Sequence, residues 1–215
     1  VSLIQKIKNE LSQLGVKPKK SLGQNFLINE GVYKKIVGAL ELKPGDTMVE
    51  VGSGLGTLTE LLATSGSKII AVEKDALLAD YLKIKFADNE RITIAEDDIL
   101  KFDPQNYKLP ALSYKLVGNI PYYLTSHLLR IIFEKWSKPA LVVLMVQKEV
   151  ARRIVAKPPH MSLLSVSVQY FSKAELIGLV SKMSFYPNPS VDSAIIKLRP
   201  KSEDITPKTT INFFK

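Results

Sequence analysis

Apolar positions along the chain change period repeatedly, and the changes mark its elements. Over residues 1–14, Leu3, Ile4, Ile7, Leu11 and Leu14 fall at helical spacing, with Gly15 placed to cap the end. A second helix is predicted over 30–42, stopped by Pro44-Gly45. From there short apolar runs alternate with amphipathic ones. Strands are predicted over 47–51, 68–72, 91–95, 114–118 and 141–146, the last apolar throughout and so buried on both faces. Helices are predicted over 57–64, 75–86, 126–133 and 161–171, and a further helix with a basic face begins at Gln147. In the 75–86 helix the expected apolar positions are Leu77, Leu78, Tyr81, Leu82 and Ile84. A strand near 175–180 and a closing strand over 194–198 finish the pattern. This alternation predicts an α/β fold. Residues 201–215 read as a polar tail with no core of its own.

Composition narrows the classes. A chain of 215 residues, 46% hydrophobic and 24% charged, suits one globular domain, or one with an appendage. No apolar run is long enough to span a bilayer, and no signal peptide is evident. There are no cysteines, which excludes disulfides, thiolate metal sites and a Cys nucleophile and fits a reducing compartment. A formal net charge of +9 points to a polyanionic partner, with RNA, DNA or an anionic surface all open.

Candidate chemistry sits at the predicted strand ends. The first strand runs into Gly52-Ser53-Gly54-Leu55-Gly56 and then a helix, a nucleotide-site order. The G-x-G-x-G spacing lacks the last glycine of a dinucleotide fingerprint, which argues for an adenosyl ligand without phosphates. Glu73 ends the second strand about 20 residues on, placed to accept from two ribose hydroxyls. Lys74 beside it is only a weak echo of a 2′-phosphate site. At the third strand end, a carboxylate of Asp97-Asp98 can accept from an adenine amine or cap a turn. The fourth strand leads to Asn119-Ile120-Pro121-Tyr122. Asn119 offers a side-chain acceptor, Pro121 holds Ile120 extended so that its carbonyl can point outward, and Tyr122 offers a ring for stacking. Together they suit a planar group bearing an exocyclic amine; the alternative is an ordinary turn. Phe185, in the stiff loop Phe185-Tyr186-Pro187-Asn188-Pro189, is a candidate second stacking surface. The segment 21–27 mixes amides and apolar anchors like a loop that folds over a ligand, and the preceding basic run reads as a linker or a phosphate-contacting arm.

Five stretches in combination resemble the ribosomal RNA adenine dimethyltransferases: Leu22-Gly-Gln-Asn-Phe-Leu27, Val49-Glu-Val-Gly-Ser-Gly-Leu-Gly56, Asn119-Ile-Pro-Tyr122, Gln147-Lys-Glu-Val-Ala-Arg-Arg153 and Phe185-Tyr-Pro-Asn-Pro-Ser-Val-Asp-Ser193. The resemblance covers about 19–200. It implies a Rossmann-like class I methyltransferase fold with a seven-stranded, mostly parallel sheet. It also implies S-adenosylmethionine as cofactor, and dimethylation of two neighbouring adenosines of small-subunit rRNA, in a free or pre-assembled subunit, during ribosome biogenesis. By the same resemblance Asn25, Leu27, Gly52, Glu73, Asp98 and Asn119 contact the cofactor, and the adjacent Gln24, Gly54, Lys74 and Ile99 complete the expected site. Asn119, Ile120, Pro121, Tyr122 and Phe185 form the expected catalytic set, with no metal. Lys17, Lys19, Lys20, Arg152 and Arg153 are candidates for RNA phosphates. The expected protein is cytoplasmic, monomeric and free of membrane. Residues 1–200 would form the methyltransferase domain and 201–215 the start of a truncated or absent helical domain. One departure from the family pattern is Pro158-Pro159-His160-Met161-Ser162-Leu163 ahead of Leu164-Ser165-Val166. The erythromycin-resistance methyltransferases, which modify large-subunit rRNA, are the second resemblance, and a non-catalytic RNA-binding factor is the alternative of another class.

Overall fold

The computed structural model describes residues 2–201, so the expected tail over 202–215 lies outside the described residues. Helix α1 (Leu3–Gln13) is started by the Ser2 hydroxyl, which accepts from Gln5 N–H, and stopped at Gly15, whose φ is +62°. The chain then passes through strand β1 (Phe26–Leu27) into α2 (Glu30–Ala39). β2 (Thr47–Val51), α3 (Thr57–Ala63), β3 (Lys68–Glu73), α4 (Ala76–Lys85) and β4 (Ile92–Glu96) follow in regular alternation. After them come β5 (Tyr114–Asn119), α5 (Thr125–Glu134), β6 (Leu141–Gln147), α6 (Lys148–Ile154), α7 (Leu163–Phe171), β7 (Ser172–Val180), β8 (Phe185–Tyr186) and β9 (Ser193–Pro200).

Seven strands make one sheet in the order β4-β3-β2-β5-β6-β9-β7. The five strands from β4 to β6 are parallel, and β9 lies antiparallel between β6 and β7. Alternating side chains feed opposite faces. Val49 and Val51 of β2 enter a cluster with α5, α6 and α7, while Met48 enters one with α2 and α3. β6 is buried along its apolar length, as its sequence predicts. In α4 the buried residues are Leu78, Ala79 and Leu82; Leu77 and Ile84 face outward, 57% and 79% exposed, because five apolar positions in one helix exceed a single face.

The chain winds outward through β2, β3 and β4, then returns to start β5 on the other side of β2. This reversal between β2 and β5 opens a crevice at their carboxyl ends, where open α/β sheets bind ligands. Gly118 permits the close approach: a Cβ there would lie 2.8 Å from both the Cβ and the carbonyl oxygen of Val51.

Candidate active site

The glycine loop at the end of β2 is tied down by β3. Gly52 N–H donates to the Val72 carbonyl (2.9 Å) and Gly54 N–H to Glu73 Oε2 (2.8 Å). Gly54 has φ +57°, and a Cβ there would stand 3.2 Å from the Phe26 ring, so no larger residue fits without displacement. Glu73 also accepts from Asp75 N–H (2.8 Å). Its carboxyl is pushed above the usual range by burial, against the opposing hydrogen bonds from the Asp75, Gly54 and Lys74 amides.

A strap formed by residues 19–27 closes one side. Asp75, the N-cap of α4, anchors it: Lys19 Nζ lies 2.8 Å and Gln24 Nε2 2.9 Å from Asp75 Oδ2. Burial raises the Asp75 carboxyl, but the Lys19 and Gln24 contacts outweigh it and hold it below the carboxylate range. Gln24 Oε1 accepts from Lys19 N–H, so this amide positions the strap. Further along, Leu27 pairs with Phe185 in the β1–β8 ladder. On the opposite side, Lys74 Nζ is 2.8 Å from Asp98 Oδ2, and Asp98 Oδ1 accepts from Leu100 N–H (3.0 Å). Burial raises the Asp98 carboxyl, and the Lys74 ion pair more than offsets that.

Every residue expected to hold the cofactor, from Gln24 through Asn119, lines one cavity between these walls. Two of them do other work as well: Gln24 is engaged with Asp75, and Lys74 with Asp98 rather than standing free for a phosphate. Sequence reasoning missed Glu50, which lines the same cavity. It is buried on the face of β2 toward α3, where Thr59 Oγ1 donates to its carboxyl at 2.6 Å. A lone acid inside an apolar strand, two residues before the first glycine, was the available signal. Ser53 Oγ, also at the cavity wall, is buried with no hydrogen-bond partner. Among the described lining residues, Glu50, Glu73, Asp97 and Asp98 are acidic, and the one basic side chain is the paired Lys74. Even with Glu50 held neutral by burial, the remaining carboxyls disfavour a pyrophosphate and fit an adenosyl ligand bearing positive charge.

A second cavity adjoins the first, sharing Gly23, Asn25, Asn119, Pro121 and Tyr123 and adding Ile120, Tyr122 and Gln147. Asn119 stands where the two meet. Its Nδ2 donates to the Asn25 carbonyl at 2.9 Å, which fixes the amide orientation and leaves Oδ1 as the acceptor. Tyr122 is held by a 2.6 Å hydrogen bond between its hydroxyl and Ser193 Oγ, and its carbonyl accepts from Thr125 Oγ1. Phe185 corrects an expectation. It is 1% exposed, packed in the core with α2 and paired with Leu27, so its ring presents no stacking face in this structure. The aromatic ring that borders both cavities is Tyr123, 62% exposed. Of the candidate phosphate contacts, Lys19 is bound to Asp75 and Arg152 to Glu149 (3.1 Å), which leaves Lys17, Lys20 and Arg153 as the stronger candidates.

Comparison with known proteins gives relatives in sequence and in fold. A curated Ribosomal RNA small subunit methyltransferase A from Dehalococcoides mccartyi is 45% identical over 210 residues, covering 98% of this chain and 70% of its own length. The crystal structure of the 23S rRNA methyltransferase ErmE superposes with a TM-score of 0.74 at 30% identity, over 83% of this chain and 71% of its own. A dimethyladenosine transferase from Plasmodium falciparum gives a TM-score of 0.71 at 31% identity, over 82% of this chain and 63% of its own. The fold is therefore that of the class I methyltransferases. The family model described as Ribosomal RNA adenine dimethylase matches residues 15–215, and the chain belongs to that family.

Proposed function

We propose that this protein transfers methyl groups from S-adenosylmethionine to the N6 amine of two adjacent adenosines in small-subunit rRNA, as a step of ribosome biogenesis. Residues 1–200 act as one methyltransferase domain, working as a monomer in the cytoplasm on rRNA or a pre-assembled subunit. The observation that carries the reading is Asn119: an amide locked by Asn25, with its free acceptor at the junction of an acidic cavity and a second, aromatic-walled one.

The cofactor's sulfonium supplies a methyl electrophilic enough to need no metal or nucleophilic residue. Glu73 accepts from the ribose hydroxyls, Asp98 receives the adenine amine, and the glycine loop lies against the nucleoside. On the target side, the base nitrogen is a poor nucleophile because its lone pair is conjugated with the ring. Asn119 Oδ1 and the Ile120 carbonyl accept its two hydrogens, which weakens that conjugation and stabilises positive charge as it forms, the role of preorganised dipoles. The buried Ile120 side chain, 2% exposed, anchors that peptide. Tyr122 stacks on the flipped base, at about 1–3 kcal/mol per stack. The proton of the methylated ammonium, an acidic group, leaves to water.

Incubating the protein with radiolabelled cofactor and unmethylated small subunits, then mapping the modified bases, tests the proposal. Dimethylated adenosines near the 3′ end of the small-subunit rRNA are expected. Label in large-subunit rRNA alone points to the resistance-type activity, and tight RNA binding without label points to a binding factor.

A further inference from the structure

The segment 147–153 distinguishes this chain's sequence pattern, yet the proposed chemistry leaves its first residue without a task. Gln147 ends β6 and occupies the N-cap of α6, but its side chain makes no capping hydrogen bond. Glutamine is not among the residues that cap helices well, so helix initiation does not account for it. Its side-chain amide has no hydrogen-bond partner among the described residues, although the residue is partly buried. It lines the second cavity together with Asn119, Ile120 and Tyr122.

Its neighbours fix where it stands. Across the antiparallel ladder Gln147 faces Ser193, the residue whose hydroxyl holds Tyr122. Along its own strand it lies one pleat beyond Met145, the partner of Asn119 in the β5–β6 ladder. An uncommitted amide thus borders both the stacking ring and the pair of amine acceptors. A base whose amine meets Asn119 and Ile120 presents a ring nitrogen a short distance away, N1 on one edge or N7 on the other. Asn119 and the Ile120 carbonyl contribute acceptors only, so the ring nitrogen still lacks a donor.

We propose that Gln147 is a specificity-determining residue of the target pocket, donating its Nε2–H to the ring-nitrogen acceptor beside the adenine amine. Bases that present an N–H at that edge, as guanine does at N1, meet a mismatched donor pair and lose the contact. This inference rests on the adenosine-methylation reading above.

The test uses small subunits assembled on rRNA whose 3′-terminal segment is a ligated synthetic oligonucleotide. That segment carries adenosine, 1-deazaadenosine or 7-deazaadenosine at the target position. Gln147→Leu keeps the size and removes the donor, and Gln147→Glu replaces the donor with an acceptor. Each should lower kcat/KM on adenosine about tenfold, as expected for one hydrogen bond to a buried group, with cofactor affinity and melting temperature unchanged. On the analogue lacking the contacted nitrogen the wild type should be slowed by a similar factor and Gln147→Leu should slow it no further. Gln147→Leu within twofold of wild type on adenosine overturns the inference, as does an equal loss on both analogues. A wild type that methylates no adenosine overturns the proposed function, and this inference with it.

Discussion

Replacing Glu50 with glutamine asks whether the carboxyl beneath the glycine loop carries a proton in the folded protein. Burial pushes this group from 4.5 up to about 8; the Thr59 hydroxyl opposes the shift and the nearby Glu73 adds to it. The folded chain therefore holds a proton that the unfolded chain has already released between these two values. Stability from this group is complete below pH 4.5 and declines as pH rises through about 8. At about 1.36 kcal/mol per pH unit, the full window is worth on the order of 5 kcal/mol. Glutamine keeps an oxygen to accept from Thr59 but cannot ionise. Thermal melts of both proteins at about pH 5 and about pH 9 give the comparison. The variant should gain on the wild type as pH rises, by about 2–4 °C for each kcal/mol in a chain of this size. Two melting curves that shift with pH in parallel would show that Glu50 is already ionised when folded and refute the reasoning.

Asn119→Ala should cut the single-turnover methylation rate a hundredfold or more, the effect of losing one preorganised group worth ~2.7–4 kcal/mol, while cofactor affinity changes far less; a full rate per folded molecule would remove Asn119 from the chemistry. Glu73→Ala should weaken S-adenosylmethionine binding at least tenfold by calorimetry. It should also lower the melting temperature, because Gly54 and Asp75 lose their acceptor at ~1–3 kcal/mol each; unchanged affinity would dismiss the ribose assignment. Tyr122→Ala should depress base capture and rate together. Tyr122→Phe should cost about 1 kcal/mol through the lost Ser193 contact, and Ser193→Ala should match it, so a silent Tyr122→Phe beside a damaging Ser193→Ala would separate the two residues.

The strands and the carboxyl-end placement of the site were legible because buried strands are written as mainly apolar runs, with the glycines directly after β2 and Asn119 at the end of β5. Helix phase was less so: Ala79 takes a buried place in α4 that the larger Leu77 was expected to share. What local patterns cannot carry is pairing between distant segments. Phe185 reads as a loop aromatic ahead of two prolines, yet its ladder partner is Leu27. Lys74 and Gln24 read as ligand contacts, yet each meets a carboxylate that only the folded sheet brings near. Glu50 was hidden for the opposite reason, since a charge inside an apolar strand looks like an interruption until burial and Thr59 explain it.

The two cavities draw on different lengths of the chain, and that has a consequence for synthesis. The residues lining the acidic cavity end at Leu124. The target side needs Gln147, and it needs Ser193 to steady Tyr122; the clasp of Leu27 by Phe185 is equally late. A chain growing from its amino end thus holds every lining residue of the acidic cavity long before Phe185 can clasp its Leu27 wall or Ser193 can steady Tyr122. The order of emergence therefore leaves both cavities to be finished by the same late segment, 185–193, so neither is completed ahead of the other.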